Sequence, residues 1–94
     1  MSAFLVGHIT VKNEKLWQDC VLGVKESLLP FEAKVIFRGR VNTVLAGEYD
    51  HDLVVVIEFA DQSCLGKWYH SASYQSLISL RDTAADVVLL ACDM

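Results

Sequence analysis

The sequence predicts an α+β fold of the ferredoxin-like type, as a single domain over residues 1–94. Two observations support this prediction. The predicted elements follow the order β-α-β-β-α-β, which is two β-α-β halves joined by a hairpin. With 94 residues, the chain has little room for a second hydrophobic core. We therefore expect a four-stranded antiparallel sheet with two helices on one of its faces.

The first strand and the first helix have clear signals. Ala3–Val11 alternates imperfectly and is rich in β-branched and aromatic residues, which is typical of a strand. Asn13 is a good helix cap, and Pro30 ends the pattern that follows it. Between them, apolar residues recur at spacings of three and four: Trp17, Cys20, Val21, Val24 and Leu28.

The second strand is less certain in its extent. Ala33–Arg38 has a strand pattern, and Gly39-Arg40 interrupts it. We expect a β-bulge at this point, after which Val41–Ala46 continues the strand. The alternative is one long loop over residues 39–51, which is uncommon in a compact domain.

The second half of the chain predicts a strand, a bent helix and a final strand. Asp52–Phe59 is the third strand, and Asp61 caps the second helix. This helix is expected to bend at Ser71–Ser73 and to continue to Arg81. Val87–Cys92 is the last strand.

Two strands indicate a sheet that is covered on both faces. Leu53–Ile57 and Val87–Cys92 are unbroken apolar runs, although one face of a ferredoxin-like sheet carries no helix. The chain is 53% hydrophobic, which exceeds the needs of so small a core. We therefore expect a homodimer that forms through the helix-free face of the sheet.

Composition excludes several classes of partner. A net charge of −4 repels nucleic acid and anionic membranes. No apolar run approaches the roughly 20 residues of a membrane-spanning helix. The cysteines Cys20, Cys64 and Cys92 have wide, motif-free spacing, which is typical of a reducing compartment. A cytoplasmic location follows as the expectation.

Short motifs over nearly the whole chain resemble, in their order, the small bacterial family catalogued as domain of unknown function 1330: Arg38-Gly39, Leu45-Ala46-Gly47, Val55–Phe59, Trp68-Tyr69, Ser71, Tyr74-Gln75 and Arg81. The resemblance implies a dimeric α/β barrel, in which two ferredoxin-like protomers join through their sheets. Relatives of that fold include cofactor-independent monooxygenases, isomerases and stress-response proteins. Family members usually carry an arginine before the third strand, where this chain has His51-Asp52. Any anion would then be bound by Arg38, Arg40 or Arg81, or that ligand has been lost.

His8 is the candidate catalytic residue. It lies on an otherwise apolar strand, where an imidazole can act as a general base near neutral pH. The alternative is a partly buried histidine whose nitrogen is bonded to a backbone carbonyl or lies at the dimer interface.

Four residues are candidates for ligand binding. Arg38 and Arg81 can hold a carboxylate by two parallel hydrogen bonds. Trp68 and Tyr69 can line a cavity between helices and sheet, and we expect Trp68 to present its N–H to a ligand. The alternatives are core packing for the aromatic rings and, for the arginines, a structural pairing with Glu58 or Asp82. We predict such a pair between Arg38 and Glu58.

No cofactor and no metal ion is predicted. The three histidines, His8, His51 and His70, are far apart in the sequence, and no pair of Cys or His has ligand spacing. Motifs for nucleophilic hydrolases and for nucleotide binding do not occur in the sequence.

The leading functional hypothesis is a homodimer with a cavity in each protomer for a small organic, anionic or phenolic molecule. Its chemistry would be proton transfer, cofactor-free oxidation or isomerisation, with His8 as base. The first alternative is a ligand-binding or stress-associated module without catalysis. The second is a purely structural dimer.

Overall fold

The computed structural model describes residues 2–94, and its strands are Ala3–Val11 (β1), Lys34–Arg40 (β2), Leu53–Phe59 (β3) and Ala85–Asp93 (β4). The helices are Glu14–Leu28 (α1), Gln62–Tyr69 (α2), Ala72–Gln75 (α3) and Ile78–Ala84 (α4), with a 3₁₀ turn at Leu29–Phe31. The strands form one antiparallel sheet in the order β2-β3-β1-β4. The predicted α+β class and the antiparallel four-stranded sheet are confirmed.

Both predicted helix caps are present. The Asn13 side chain accepts a hydrogen bond from the backbone N–H of Leu16 at 3.1 Å, at the start of α1. The Asp61 carboxylate accepts one from the N–H of Cys64 at 2.8 Å, at the start of α2. Each cap satisfies a backbone donor that has no partner within its helix.

The predicted second helix is divided into three short helices. The first break falls at the expected bend, where the Ser71 hydroxyl accepts a hydrogen bond from the N–H of Tyr74 at 3.2 Å and caps α3. A second break, which the sequence did not predict, separates Gln75 from Ile78. At the first break, the Ser71 side chain offers the backbone N–H of Tyr74 an acceptor that a continuous helix would not use.

The second strand differs from the prediction. It continues through Arg40, and its register shifts between Val35 and Phe37, so the irregularity lies at Ile36 rather than at Gly39-Arg40. The predicted extension over Val41–Ala46 is wrong, because residues 41–52 form no strand. The Val41 N–H donates to the Asp52 carbonyl at 2.7 Å, which closes a long loop, the alternative weighed for this segment.

The two faces of the sheet have different surroundings. On the face that we call the core face, strand residues such as Ala3 and Leu5 are buried in one cluster with helix residues: Leu28, Leu65, Trp68 and Tyr74. The opposite, outer face is formed by the alternating positions of the same strands. There, Val6 lies across from Val56 on β3 and from Leu90 on β4.

The outer face is apolar and, within one chain, partly open to solvent. Val88 and Leu90 are 44% and 46% exposed, and Phe37 is 54% exposed. The predicted apolar character of this face is confirmed. Among residues 2–94, no helix is both long enough and apolar enough to cross a membrane.

Candidate ligand-binding cleft

An open cleft of about 670 Å³ lies between α1 and the half of the sheet that contains β2 and β3. Its floor consists of core-face residues of the strands, such as Ile9, Leu53 and Val55. Its wall is formed by apolar side chains of α1: Trp17, Cys20, Val21, Val24 and Leu28. This volume lies within the range of pockets that bind drug-sized molecules.

The position of α1 leaves this space open. Gly23 packs directly on Leu77, the residue before α4, because a Cβ atom at position 23 would come within 2.6 Å of Cδ2 of that leucine. The main packing partner of α1 is α4, which in turn contacts β4 at one edge of the sheet. The β2 and β3 side of the core face is therefore less completely covered and lines the cleft.

The charged side chains of the cleft are mostly basic. Arg38 and Arg40 lie on β2 across from Val55 and Leu53, two residues of the cleft floor. Residues of α1 and its neighbouring loops add the other charged groups: Lys12, Lys25, Glu14 and Asp52. The arrangement combines an apolar interior with a predominantly cationic rim.

Trp68 does not contribute to the cleft. It is 1% exposed and belongs to the hydrophobic core, with its ring 4.3 Å from that of Tyr74 and 5.5 Å from that of Phe59. Its indole N–H donates to the hydroxyl of Ser27 at 2.9 Å, and this hydroxyl donates to the Val24 carbonyl. The expectation that Trp68 presents its N–H to a ligand is therefore wrong, because a core serine satisfies that donor.

Arg81 is held by protein groups. Its Nη1 donates to the Tyr74 hydroxyl at 2.9 Å, and its Nε donates to the Asp82 carboxylate at 3.0 Å. Burial alone would lower the pKa of Arg81, but these hydrogen bonds raise it above its ordinary value, so the guanidinium stays charged. The structural alternative weighed for Arg81, a pairing with Asp82, is the one observed.

Tyr69 lies beside this group rather than in the cleft. Its ring packs against those of Trp68 and Tyr74, at centroid distances of 6.3 and 5.3 Å. Trp68, Tyr69 and Arg81 thus form a continuous structural group around Tyr74, and none of the three lines the cleft.

Ionisation of the buried Tyr74 phenol is expected to reduce the stability of the protein at high pH. Burial raises the pKa of its phenol above the ordinary value of 10.0, although Arg81 opposes this effect. The folded state therefore favours the neutral phenol, so the contribution is complete below pH about 10 and is lost as the pH rises further. We expect the free energy of unfolding of the wild-type protein, from urea titrations, to fall as the pH rises above about 10.

Tyr74→Phe should reduce this fall, because the ring remains and the ionisable hydroxyl is removed. The fall will not disappear, since burial also raises the pKa of the Cys20 thiol against the opposing charge of Arg81. Equal losses in the wild-type and Tyr74→Phe proteins would contradict the assignment to Tyr74.

The predicted ion pair between Arg38 and Glu58 is not formed. Glu58 lies across from Lys34 and from Phe4 on the outer face, whereas Arg38 lies across from Val55 on the core face. Among residues 2–94, no salt bridge joins Arg38 to a carboxylate. The prediction assumed a regular hairpin between β2 and β3, and the long loop with its shifted register places the two side chains on opposite faces.

His8 lies on the outer face, away from the cleft. Its Nδ1 is 2.7 Å from the Tyr49 hydroxyl, and its ring centroid is 6.3 Å from that of His51. His51 Nδ1 in turn lies 3.1 Å from the Thr10 hydroxyl. His8 and His51 thus lie close together, but the sheet separates His8 from Trp68 and Arg81, so the candidate base does not share a cavity with these two candidate ligand-binding residues.

Three cleft residues were not predicted as such: Arg40 was considered only through the family resemblance, and Val21 and Val24 only as part of the apolar stripe of α1. The sequence contains a signal for the arginine and a signal for the valines. Arg38 and Arg40 are alternate residues of a strand, so their side chains point to the same face. The apolar stripe of α1 also includes Trp17, a half-buried residue whose ring lines the cleft.

The fold and the cleft define a ferredoxin-like α+β protein with a ligand-sized opening beside its edge strand. The chain belongs to the family described as Domain of unknown function (DUF1330), whose model matches residues 2–93. The resemblance given by the sequence motifs is therefore confirmed. A comparison with curated proteins found no match.

Solved structures share the fold at low sequence identity. A protein of unknown function from Rhodopseudomonas palustris is 13% identical, with a TM-score of 0.83 over 99% of this chain and 82% of that one. SnoaB, a cofactor-independent oxygenase from Streptomyces nogalater, is 6% identical, with a TM-score of 0.73 over 99% and 92%. A dimeric ferredoxin-like protein of unknown function from a Jannaschia species is 8% identical, with a TM-score of 0.70 over the full length of both chains.

Proposed function

We propose that this protein is a homodimer in which each protomer binds a small organic molecule in the cleft between α1 and the sheet. The observation that carries the proposal is the cleft itself, with about 670 Å³ of space, an apolar floor and wall, and a charged rim. Such a combination of apolar surface with a few polar groups is typical of small-molecule sites.

The proposed dimer forms through the outer face of the sheet, opposite the cleft. Pairing of two outer faces would give the dimeric α/β barrel, with the helices of each protomer on the outside. It would also cover the exposed apolar residues of β2 and β4: Phe37, Val88 and Leu90. Structures with similar folds from a Jannaschia species and from Thermobifida fusca are described as dimeric, which supports this assembly.

Binding without catalysis is the function that the cleft supports best. Among residues 2–94, no histidine lines the cleft, and His8 lies across the sheet from it. SnoaB, which has a similar fold, is a cofactor-independent oxygenase. At 6% identity this similarity extends to the fold alone, and His8, the base predicted for the catalytic alternative, does not line the proposed site.

Val21→Trp tests whether the cleft binds ligands. Val21 is half-buried in the cleft wall, and an indole at this position would fill the space that a ligand needs. We expect the neutral dye phenylnaphthylamine to bind the wild-type protein with increased fluorescence, and Val21→Trp to weaken that binding at least tenfold, a change of about 1.4 kcal/mol.

Leu22→Trp is the matched control for this experiment. Leu22 is the next residue of the same helix, is 60% exposed, and does not line the cleft. We expect this variant to bind the dye as the wild type does. Equal binding by Val21→Trp and Leu22→Trp would place the dye elsewhere and would refute the cleft as its site.

A further inference from the structure

We propose that the molecule bound in the cleft is an organic anion whose carboxylate or sulfonate is held by Arg38 and Arg40. This inference rests on the proposed function, because it assigns a ligand class to the same cleft. It goes further in naming the charge of the ligand, the two residues that select it and the part of the cleft that its apolar body occupies.

The distribution of charge supports an anionic ligand. The whole chain carries a net charge of −4, with 12 acidic and 8 basic residues. Four of those eight basic residues line the cleft, whereas only two carboxylates, Glu14 and Asp52, do so. An acidic protein has thus concentrated its positive charge at one opening, where it attracts anions and excludes cations of similar shape.

The two arginines are free to bind. Among the residues that the structure describes, neither Arg38 nor Arg40 forms a salt bridge or a side-chain hydrogen bond. Two other basic residues, Lys12 and Arg81, already have protein partners. Lys12 donates to the Asp82 carbonyl at 2.8 Å and lies 3.6 Å from the Asp86 carboxylate, and Arg81 is bound to Tyr74.

The strand geometry brings the two guanidinium groups to one ligand. Arg38 and Arg40 are alternate residues on the edge strand β2, so their Cα atoms are about 7 Å apart and their side chains leave the same face. Long side chains at this spacing can converge on one carboxylate. The planar guanidinium group forms paired hydrogen bonds to such an anion, which a lysine cannot do.

The remainder of the cleft determines the body of the ligand. From the arginines, the cleft extends over Val55 and Ile57 and under Val24 of α1, all apolar. A compact inorganic anion would leave this surface without contacts. The ligand class is therefore amphipathic, with an aliphatic or aromatic body and one acidic group.

Two dyes that differ by one charged group provide the test. Anilinonaphthalene sulfonate carries the ring system of phenylnaphthylamine with an added sulfonate. We expect the sulfonated dye to bind the wild-type protein more tightly, and decanoate to displace it more effectively than decanol does. Raising the salt concentration should weaken binding of the sulfonated dye while leaving the neutral dye nearly unchanged.

Substitution of the arginines identifies the residues responsible. Arg38→Gln and Arg40→Gln should each lower the affinity for the sulfonated dye about fivefold, and the double variant about twentyfold or more. The control is Lys34→Gln, which removes a positive charge from an exposed residue of the same strand on the outer face. We expect Lys34→Gln to bind both dyes as the wild type does.

The outcomes separate this inference from the proposed function. Equal losses for Lys34→Gln and the arginine variants would overturn the inference, since only net charge would matter. Equal affinity of the wild type for both dyes would also overturn it, even if Val21→Trp blocked the neutral dye and the cleft remained a binding site. Loss of both dyes in the arginine variants, with unchanged far-ultraviolet circular dichroism, would likewise contradict selection by charge.

Discussion

Replacing Leu90 with lysine is expected to convert the proposed dimer into a monomer. Leu90 lies on the outer face across from Val6 and is 46% exposed in the isolated chain. Burial of one leucine contributes about 1.5–3 kcal/mol, and a two-fold interface contains each residue twice. The variant also places two ammonium groups in an apolar contact, so we expect the dimer to weaken by at least a thousandfold.

Light scattering coupled to size-exclusion chromatography measures this change. The molar mass measured for the wild type should be twice the 10.5 kDa mass of the chain, and that of Leu90→Lys should be 10.5 kDa. Leu22→Lys makes the same substitution at a comparably exposed leucine of α1 and should remain dimeric. A wild-type protein that is monomeric at micromolar concentration would contradict the proposal that the outer face is a dimer interface.

Trp68→Ala should cause the largest loss of stability of any substitution considered. The side chain is buried against Phe59 and Tyr74, and its removal would leave a large cavity in the core. Substitutions of this kind cost about 3–5 kcal/mol, a large part of the roughly 5–15 kcal/mol that stabilises a typical domain. We expect urea unfolding, followed by circular dichroism, to shift to much lower denaturant concentration.

Two comparisons show whether the core position is responsible. Trp17→Ala changes the other tryptophan, which is half-buried at the cleft, and should cost clearly less. Ser27→Ala removes the acceptor of the Trp68 N–H and should cost about 1–3 kcal/mol, because a buried donor loses its partner. Similar losses for Trp68→Ala and Trp17→Ala would show that Trp68 is not the centre of the core.

The elements that depend on local signals could be predicted from the sequence. The capping side chains of Asn13 and Asp61 mark the starts of two helices, and the structure contains both caps. The apolar runs in β3 and β4 correctly predicted a sheet with apolar residues on both faces, because strand alternation assigns every second residue to the outer face.

The site residues depended on long-range geometry that no local pattern contains. The expectation that Trp68 faces a ligand assumes that an indole on this helix presents its N–H to the interior of a cavity. The actual acceptor, Ser27, is 41 residues away on another helix, and nothing near Trp68 in the sequence points to it. Arg81 was expected at the same site, and its partner Tyr74 lies one short helix earlier, beyond a break that the sequence did not predict.

The face on which each strand residue lies was the main source of error. A bulge at Ile36 and a long loop over residues 41–52 set the register between β2 and β3, and this register separates Arg38 from Glu58. For β1, buried residues occupy alternate positions from Ala3 to Ile9, which assigns His8 to the outer face. That alternation is visible in the sequence only once the core face is known.

A crystal structure of the protein with anilinonaphthalene sulfonate would test the central claim, ligand binding in the cleft, most directly. We predict one dye molecule per protomer, with its rings between Val24 and Val55 and its sulfonate within hydrogen-bonding distance of Arg38 or Arg40. A cleft filled by protein side chains, with the dye bound only on the outer face beside Leu90, would contradict the account.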